Sequence, residues 1–298
     1  MNKLIQKLRY KLHSRRSDYL HRRKRHQLRQ HILHYYAQNP PADGEIEMAV
    51  RYLSQHPLTT FYGTFQERYP AGEITVFTDA KNGLPYVMAG SKKLYFKRSQ
   101  NKRTIQILYS NLLIEQDPLS PHCYSDDRFR VEEGDVMADV GCAEGFFSLM
   151  QIEKLERAYL FEQDREWIEA LEATFAPWRE KVTIIPRYVS DTNNSDEITL
   201  DDYPWQAGEK PCFYKIDVEG AEASVLRGMQ RILRQKPLKI ALCTYHHPED
   251  FTLFSRFFQE HGFVYRANEG VMIFQNDLEH TTPPYFRKCL IKAVNRHE

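Results

Sequence analysis

The stretch Val136-Met-Ala-Asp-Val-Gly-Cys-Ala-Glu-Gly145 decides the fold. Its opening residues are apolar apart from Asp139 and read as a buried strand. The strand stops in glycine and acid, and Phe146-Phe-Ser-Leu149 carries on as a helix. A second stretch of the same kind follows later, where Cys212-Phe-Tyr214 runs into Lys215-Ile-Asp-Val-Glu-Gly-Ala-Glu222. Strand ends of this type, repeated in one sheet, form the ligand crevice of an open α/β fold.

Outward from these stretches, strands and helices alternate. The strands are expected at 136–140, 158–162, 182–189, 212–217, 238–244, 263–266 and 286–294, and the helices at 146–156, 165–176, 220–234 and 250–261. That order predicts an α/β fold with a largely parallel sheet and helices on both faces. The last two strands have no helix between them, so the final one is expected to enter antiparallel. Upstream, residues 1–36 read as a basic helix, with Leu4, Leu8 and Leu12 and then Leu28, Ile32, Tyr35 and Tyr36 at helical spacing. Asn39-Pro-Pro-Ala-Asp43 breaks it, and a short helix is expected over 44–55. Ile74–Thr78 and Tyr86–Met88 flank the Asn-Gly-containing loop Asp79–Gly83 and read as a hairpin, with Leu94–Phe96 as a third strand. An amphipathic helix then carries Ile105, Leu108, Tyr109, Leu112 and Leu113 on one face. The chain thus divides by composition into a basic helical arm (1–57), a hairpin-and-helix cap region (58–125) and the alternating domain (126–298).

Composition excludes several classes. A chain of 298 residues, 42% hydrophobic and 13% aromatic, can bury a sizeable core and is not a disordered chain. It has no apolar run of membrane-spanning length and no secretory signal at the N-terminus. The five cysteines (Cys123, Cys142, Cys212, Cys243, Cys289) are scattered without a Cys-x-x-Cys, which fits a reducing cytosol better than a disulfide or zinc scaffold. The net charge of +1 conceals an asymmetry: residues 1–34 hold eleven Lys/Arg and one acid, the rest 30 Lys/Arg and 39 acids. A basic arm on an acidic body reads as an interaction arm. The arm is suited to an anionic inner membrane face; a solvated helix on the acidic body is the alternative.

The Asp139-x-Gly141-x-x-x-Gly145 turn lets backbone approach a ligand closely. A dinucleotide site would show Gly-x-Gly-x-x-Gly with pyrophosphate at the helix N-terminus. Here Asp139 takes the first glycine position and Glu144 sits in the loop, and both would repel a phosphate. A ligand with a sulfonium and an ammonium group, S-adenosylmethionine, fits them. Gly141, Ala143, Glu144 and Gly145 are therefore candidate contacts. The acid Glu162, ending Tyr159-Leu-Phe-Glu162, is placed to accept both ribose hydroxyls, beside Gln163; Asp164 is either an alternative ligand or a helix cap. Asp191 is placed to touch the adenine. The Glu115–Tyr124 loop, with Glu115, Ser120 and His122, is positioned to close over the cofactor.

These segments together resemble the FkbM family of S-adenosylmethionine-dependent methyltransferases over about residues 110–294. The resemblance rests on Asp139–Leu149, Thr199-Leu-Asp-Asp202, Lys215–Glu222 with Val225, Leu226 and Gly228, and Tyr245-His-His-Pro-Glu-Asp250. It implies a class I methyltransferase fold, Rossmann-like with a seven-stranded mixed sheet, here with an N-terminal helical and β-hairpin extension. It implies methylation of hydroxyls, often on sugars or polyketide-derived compounds. Gln163 departs from the family, where proline is common after the acid, and so does Cys142-Ala-Glu144, where Ala-Asn-x is common.

Lys215, Asp217 and Glu219 alternate to one side of an extended chain. A hydroxyl must lose its proton as it attacks a methyl group, which calls for a base or a metal. Asp217 is the first candidate base and His246, at the end of the fifth strand, the second. Lys215 is a candidate for orienting the substrate oxygen; its bland role is an ion pair with Asp217. No metal ligand is assigned, although Asp217 and His246 would be the donors of a metal-assisted variant. The expected activity is O-methylation of a small molecule or glycan. The runner-up, a nucleic-acid methyltransferase using the arm, lacks an Asn/Asp-Pro-Pro-aromatic element after the fourth strand, so nucleic acid is not an expected partner, though ribose 2′-O-methylation stays open. A binding module on a degenerate fold is disfavoured because Asp139, Glu162 and Asp217 are all present.

Overall fold

The computed structural model describes residues 22–206, 211–235, 237–275 and 281–295. They fall into two compact units, residues up to 63 with 269–287, and residues 64–268 with 288–298. This grouping cuts across the compositional segments because 269–287 packs with the N-terminal helices.

In the first unit residues 22–38 form helix α1, and Gly44–Gln55 form α2. Residues 1–21, the first part of the expected basic helix, lie outside the described residues. Asp43 caps α2 by accepting from the Glu45 N–H at 2.8 Å. The i, i+4 repeat of Leu28, Ile32 and Tyr36 puts one face of α1 into a core with Ala49, Leu53, Val271, Ile273 and Phe286. Arg29 donates to the carbonyls of Leu53 and His56 at 2.9 and 2.8 Å and so closes the C-terminal end of α2.

The second unit opens with a small antiparallel sheet, β1 (Phe77–Thr78), β2 (Pro85–Ala89) and β3 (Lys92–Tyr95). The first strand is shorter than expected: the Ile74 carbonyl accepts from the Gln106 side chain instead of a strand partner. Helix α3 (Lys102–Glu115) follows, capped by Asn101. The alternating region then gives β4 (Val136–Val140), α4 (Phe146–Gln151), β5 (Arg157–Phe161), α5 (Arg165–Phe175), β6 (Val182–Ile185), β7 (Tyr188–Val189), β8 (Glu197–Ile198), β9 (Phe213–Ile216), α6 (Glu222–Arg227), β10 (Lys239–Cys243), α7 (Asp250–Glu260), β11 (Val264–Ala267) and β12 (Leu290–Val294).

Seven of these strands form one sheet in the order β11-β12-β10-β9-β4-β5-β6. The five from β6 to β10 are parallel neighbours, and β12 is antiparallel to both β10 and β11, as its missing crossover helix required. The order reverses between β4 and β9, so the crevice opens where their C-terminal ends diverge. Every residue of β4 and β9 is buried, the signature of central parallel strands covered on both faces.

Two expected elements are broken for local reasons. The strand expected over 182–189 stops at Pro186, which has no N–H for the ladder, and Tyr188–Val189 pairs instead with Glu197–Ile198. The helix expected over 220–234 ends at Gly228. A Cβ there would lie 2.0 Å from the Ser190 carbonyl oxygen, so the chain passes too close for any other residue. A new turn begins beyond it, capped by Asp201, whose carboxylate accepts from the N–H groups of Arg231 and Ile232.

Candidate active site

The turn after β4 is held by its own backbone. Gly141 has φ 74°. A Cβ on it would lie 2.0 Å from the Asp217 carbonyl oxygen, so glycine alone lets β4 and β9 end this close together. Gly145 (φ 74°) begins α4, and a Cβ there would meet Leu171 and Phe175 at 2.8 and 2.9 Å. Among the described residues, Ala143 (φ 47°) and Glu219 (φ 54°) are the non-glycine residues in the left-handed region. They sit one at each of the two strand ends, each conformation costing about 1 kcal/mol or more.

Glu162, just past β5, is fixed by three backbone N–H groups. Its Oε2 accepts from Ala143 at 3.0 Å, and its Oε1 from Gln163 and Asp164 at 2.9 and 2.8 Å. Asp164 is engaged as the α5 cap and as the partner of Lys97 at 2.6 Å. Asp191 pairs with Arg227 at 2.7 Å. Gly141, Ala143, Glu162, Gln163 and Asp191 all border a cleft of about 520 Å³, with Phe161, Trp167 and Val189 as apolar wall and Asp217 at its far side. The cleft carries six carboxylates (Glu162, Asp164, Asp191, Glu197, Asp217, Glu219) against one guanidinium, Arg187.

Four residues expected at the cofactor do not border this cleft. Asp139 is 1% exposed and lies directly opposite Lys215 in the β4–β9 register. Its Oδ1 faces the Lys215 ammonium at 2.9 Å, and its Oδ2 accepts from the Ser148 hydroxyl at 2.5 Å. Glu144 and Gly145 lead into α4, with Gly145 as its N-cap. Glu115 ends α3 beside Asp217 and Glu144 instead. Burial and repulsion by Asp217 and Glu144 push the Glu115 carboxyl up to about 8; burial pushes Glu144 up to about 7.

The reaction half gathers around Asp217. Tyr124 donates to its Oδ2 at 2.7 Å and Tyr245 to its Oδ1 at 3.0 Å. Nε2 of His122 and of His246 lie 4.0 and 3.8 Å from this carboxylate. Burial raises the Asp217 pKa, but Lys215, the two histidines and Tyr124 outweigh it and hold the carboxyl below its ordinary value. Burial and the Asp217 charge hold both phenols well above 10, so they remain donors. Lys215 also donates to the Gly141 carbonyl at 2.7 Å. Its ammonium ties the two strand ends together and faces Asp139.

The two histidines differ in charge. Burial drives His122 down to about 4, so it is neutral. Burial also lowers His246, but Glu219, Glu222 and Asp217 overcome it and push the ring up to about 10. At neutral pH His246 is an imidazolium, which fits a cationic partner better than a base. His122, Asp217 and Cys243 approach one another within 4.8 Å, as do Asp217, Glu222 and His246. Burial holds the Cys243 thiol well above 9, and Glu222 faces His246 Nδ1 at 2.9 Å. His247 lies outside the cluster, its backbone N–H donating to Asp250. Ser120 forms a local turn to the His122 N–H.

Sequence reasoning did not single out Tyr124, Tyr245 or Glu222 as site residues. All three lie inside segments it quoted, so a phenol or carboxylate beside an assigned residue was the available signal.

The family model of the methyltransferase FkbM domain matches residues 93–265, more than half of the chain. Among solved structures, the methyltransferase FkbM from Methylobacillus flagellatus KT aligns at 18% identity with a TM-score of 0.44, covering 64% of this chain and 53% of that one. The chain therefore spans about half the length of that protein. Precorrin-6y C5,15-methyltransferase from Geobacter metallireducens GS-15 aligns at 16% identity and TM-score 0.39, covering 57% of this chain and 84% of that one. An rRNA methylase from Streptococcus thermophilus aligns at 12% identity and TM-score 0.39, covering 56% and 90%. No curated protein matches in sequence.

Proposed function

This chain belongs to the FkbM methyltransferase family, and from that premise we propose that it transfers the methyl group of S-adenosylmethionine to a hydroxyl of a small molecule or glycan, a sugar in cell-surface or secondary-metabolite synthesis. The cleft fits that cofactor. Its volume of about 520 Å³ lies in the range of small-molecule sites. Asp164 and Asp191 already hold Lys97 and Arg227, and the remaining four carboxylates against Arg187 favour a cationic ligand over a pyrophosphate. Glu162 is held in place to accept from a ribose diol, and Phe161, Trp167 and Val189 offer apolar surface to a base.

When bound, S-adenosylmethionine supplies an electrophilic methyl group on sulfur. This chain supplies a proton acceptor and the means to hold it. The observation that carries the reading is Asp217, which borders the cleft while two phenols clamp it. Each carboxylate oxygen accepts one phenol and keeps a second lone pair for a substrate hydroxyl. A hydroxyl becomes strongly acidic once its oxygen begins to bond to carbon, so a carboxylate of low basicity suffices to take its proton. Lys215 and His246 keep that carboxylate ionised.

Calorimetry with S-adenosylhomocysteine is the test; the expected dissociation constant is micromolar, and no binding would remove the cofactor from this site. Transfer of labelled methyl from S-adenosylmethionine is expected into carbohydrate and not into RNA. Label in RNA would replace the small-molecule or glycan acceptor proposed here by nucleic acid.

We also propose that the basic arm contacts an anionic membrane surface. Residues 1–21 of it lie outside the described residues. In the described part, Arg22, Arg25, His26 and Arg29 of α1 line a recess of about 390 Å³ with Pro57–Thr59. Arg25 and Arg29 are engaged with the carbonyls of Leu58 and of Leu53, Ser54 and His56, so the exposed Arg22 and Arg23 are the described arginines that would face the bilayer. Near an anionic bilayer each basic residue contributes roughly 1 kcal/mol. The protein is expected to sediment with phosphatidylglycerol vesicles at low salt and to remain in solution with neutral ones; equal behaviour with both would refute the contact. No helix among the described residues is long and apolar enough to cross a membrane.

A further inference from the structure

Glu222 closes the segment Lys215–Glu222, and the function proposed above gives it no task. It opens α6 and is fully buried, with a relative exposure of 0%. Its Oε1 accepts from the Val218 N–H at 3.0 Å and faces His246 Nδ1 at 2.9 Å. The opposite ring nitrogen, Nε2, lies 3.6 Å from Glu219 and 3.8 Å from Asp217. One short turn therefore aims three carboxylates at a single imidazole, and it does so through the left-handed pair Glu219 (φ 54°) and Gly220 (φ 100°). The three are not alike. The Glu219 side chain is 81% exposed and screened by water, whereas Glu222 has no water to solvate its charge.

We propose that Glu222 is a positioning residue, holding His246 through Nδ1 so that Nε2 is presented to Asp217 and the ring acts as a fixed cationic partner of the base. This rests on the reading of Asp217 as the proton acceptor. A fully buried carboxylate persists only with a charged or strongly donating partner, and the imidazole is the group that supplies one. A histidine gripped at one nitrogen has its orientation and the state of the other nitrogen set by that grip, as in carboxylate–histidine pairs generally. The gap of 3.8 Å to Asp217 is too long for a hydrogen bond, so the ring acts on Asp217 through charge and leaves the carboxylate lone pairs to the substrate. The charged and titratable groups facing the ring are Asp217, Glu219 and Glu222 from the β9–α6 turn, Asp250 from α7, His122 from the loop after α3, and Tyr245 beside it. The carboxylates outweigh burial and set the ring at about 10, consistent with a lasting imidazolium.

The first measurement needs no variant. In the full chain without cofactor, the His246 Cε1–H resonance is expected to titrate far above the ordinary midpoint of about 6.5. A midpoint near that ordinary value would overturn the proposal whether or not a variant folds. The second uses Glu222→Gln, which keeps an acceptor for the Val218 N–H but carries no charge. Its His246 midpoint is expected to fall by about one unit or more, and kcat by roughly 10–100-fold, the range for removing such an outer partner. KM and S-adenosylhomocysteine affinity are expected to stay the same. An unchanged midpoint, or a loss of affinity parallel to the loss of kcat, would make Glu222 a structural residue only. If wild-type protein binds no S-adenosylhomocysteine, the cofactor reading fails while the titration still reads the pair.

Discussion

Asp217→Asn is expected to lower kcat by roughly 10²–10⁴-fold, the usual contribution of a positioned proton acceptor. S-adenosylhomocysteine affinity is expected to change little, because asparagine has the same shape and the cleft keeps its other five carboxylates. Stability is also expected to hold. Lys215 retains Asp139 at 2.9 Å and the Gly141 carbonyl at 2.7 Å, so no buried charge loses its main partner. Lys215→Ala would be a poor substitute: it would leave Asp139 buried without its cation, at a cost of about 3–5 kcal/mol. Single-turnover methyl transfer and calorimetry separate the two effects. If Asp217→Asn loses cofactor affinity instead of rate, Asp217 belongs to the cofactor half.

The pH dependence carries the same distinction. The Asp217 carboxyl lies below its ordinary value of 3.8, so it is ionised throughout the neutral range and gains nothing as pH rises. His246 stays protonated up to about 10. With Asp217 as the base, the rate at saturating cofactor is expected to be flat from neutral pH upward. With His246 as the base, the rate would climb roughly tenfold per pH unit until the ring deprotonates. Glu115 and Glu144, at about 8 and 7, titrate inside this window and face the same cluster. A step in the rate at about pH 7–8 that disappears in Glu115→Gln or Glu144→Gln belongs to these two groups, and only a rise that continues beyond it toward pH 10 would point to His246.

Glu162→Ala is the second large effect. Three backbone N–H groups take all but one of its roughly four acceptor sites, so one charge-assisted ribose hydrogen bond of about 1.5–3 kcal/mol would be lost, and S-adenosylhomocysteine binding is expected to weaken by roughly 10–100-fold. The same carboxylate accepts from Ala143, Gln163 and Asp164, so the truncation also frees three backbone donors and is expected to lower the melting temperature. Glu162→Gln keeps one acceptor oxygen and is expected to fall between wild type and Glu162→Ala in both measurements. At saturating cofactor, kcat is expected to stay within a few-fold, unlike for Asp217→Asn. Undiminished binding by Glu162→Ala would mean that the ribose is held elsewhere.

The breaks in regular structure came from contacts that no local pattern encodes. Pro186 was visible, yet the apolar run around it read as one strand; its missing N–H ended the ladder and passed Tyr188–Val189 to a new partner, Glu197–Ile198. Gly228 was visible as a family match, but the Ser190 carbonyl that leaves it no room comes from another part of the chain. The return of 269–287 to the N-terminal helices was hidden as well. Val271, Ile273 and Phe286 find their apolar partners at Leu28, Ile32 and Leu53, and spacing along the chain does not show such a pairing.

Alone, the sequence determined what local chemistry and period can determine. Apolar runs ending in glycine and acid placed β4 and β9, strand–helix alternation set a parallel sheet, and a missing crossover helix turned β12 antiparallel. Asp217 and Glu162 were legible because each ends a strand on the crevice side. The tertiary structure alone decided what each charge does, because that depends on the groups facing it across the fold. Strand register set Asp139 against Lys215 and paired the two at 2.9 Å. Tyr124 and Tyr245, distant in sequence, closed on Asp217, while Lys215 beside it does most to hold its carboxyl below the ordinary value. Glu219 and Glu222, brought beside His246 by the turn into α6, raise its ring against the effect of burial.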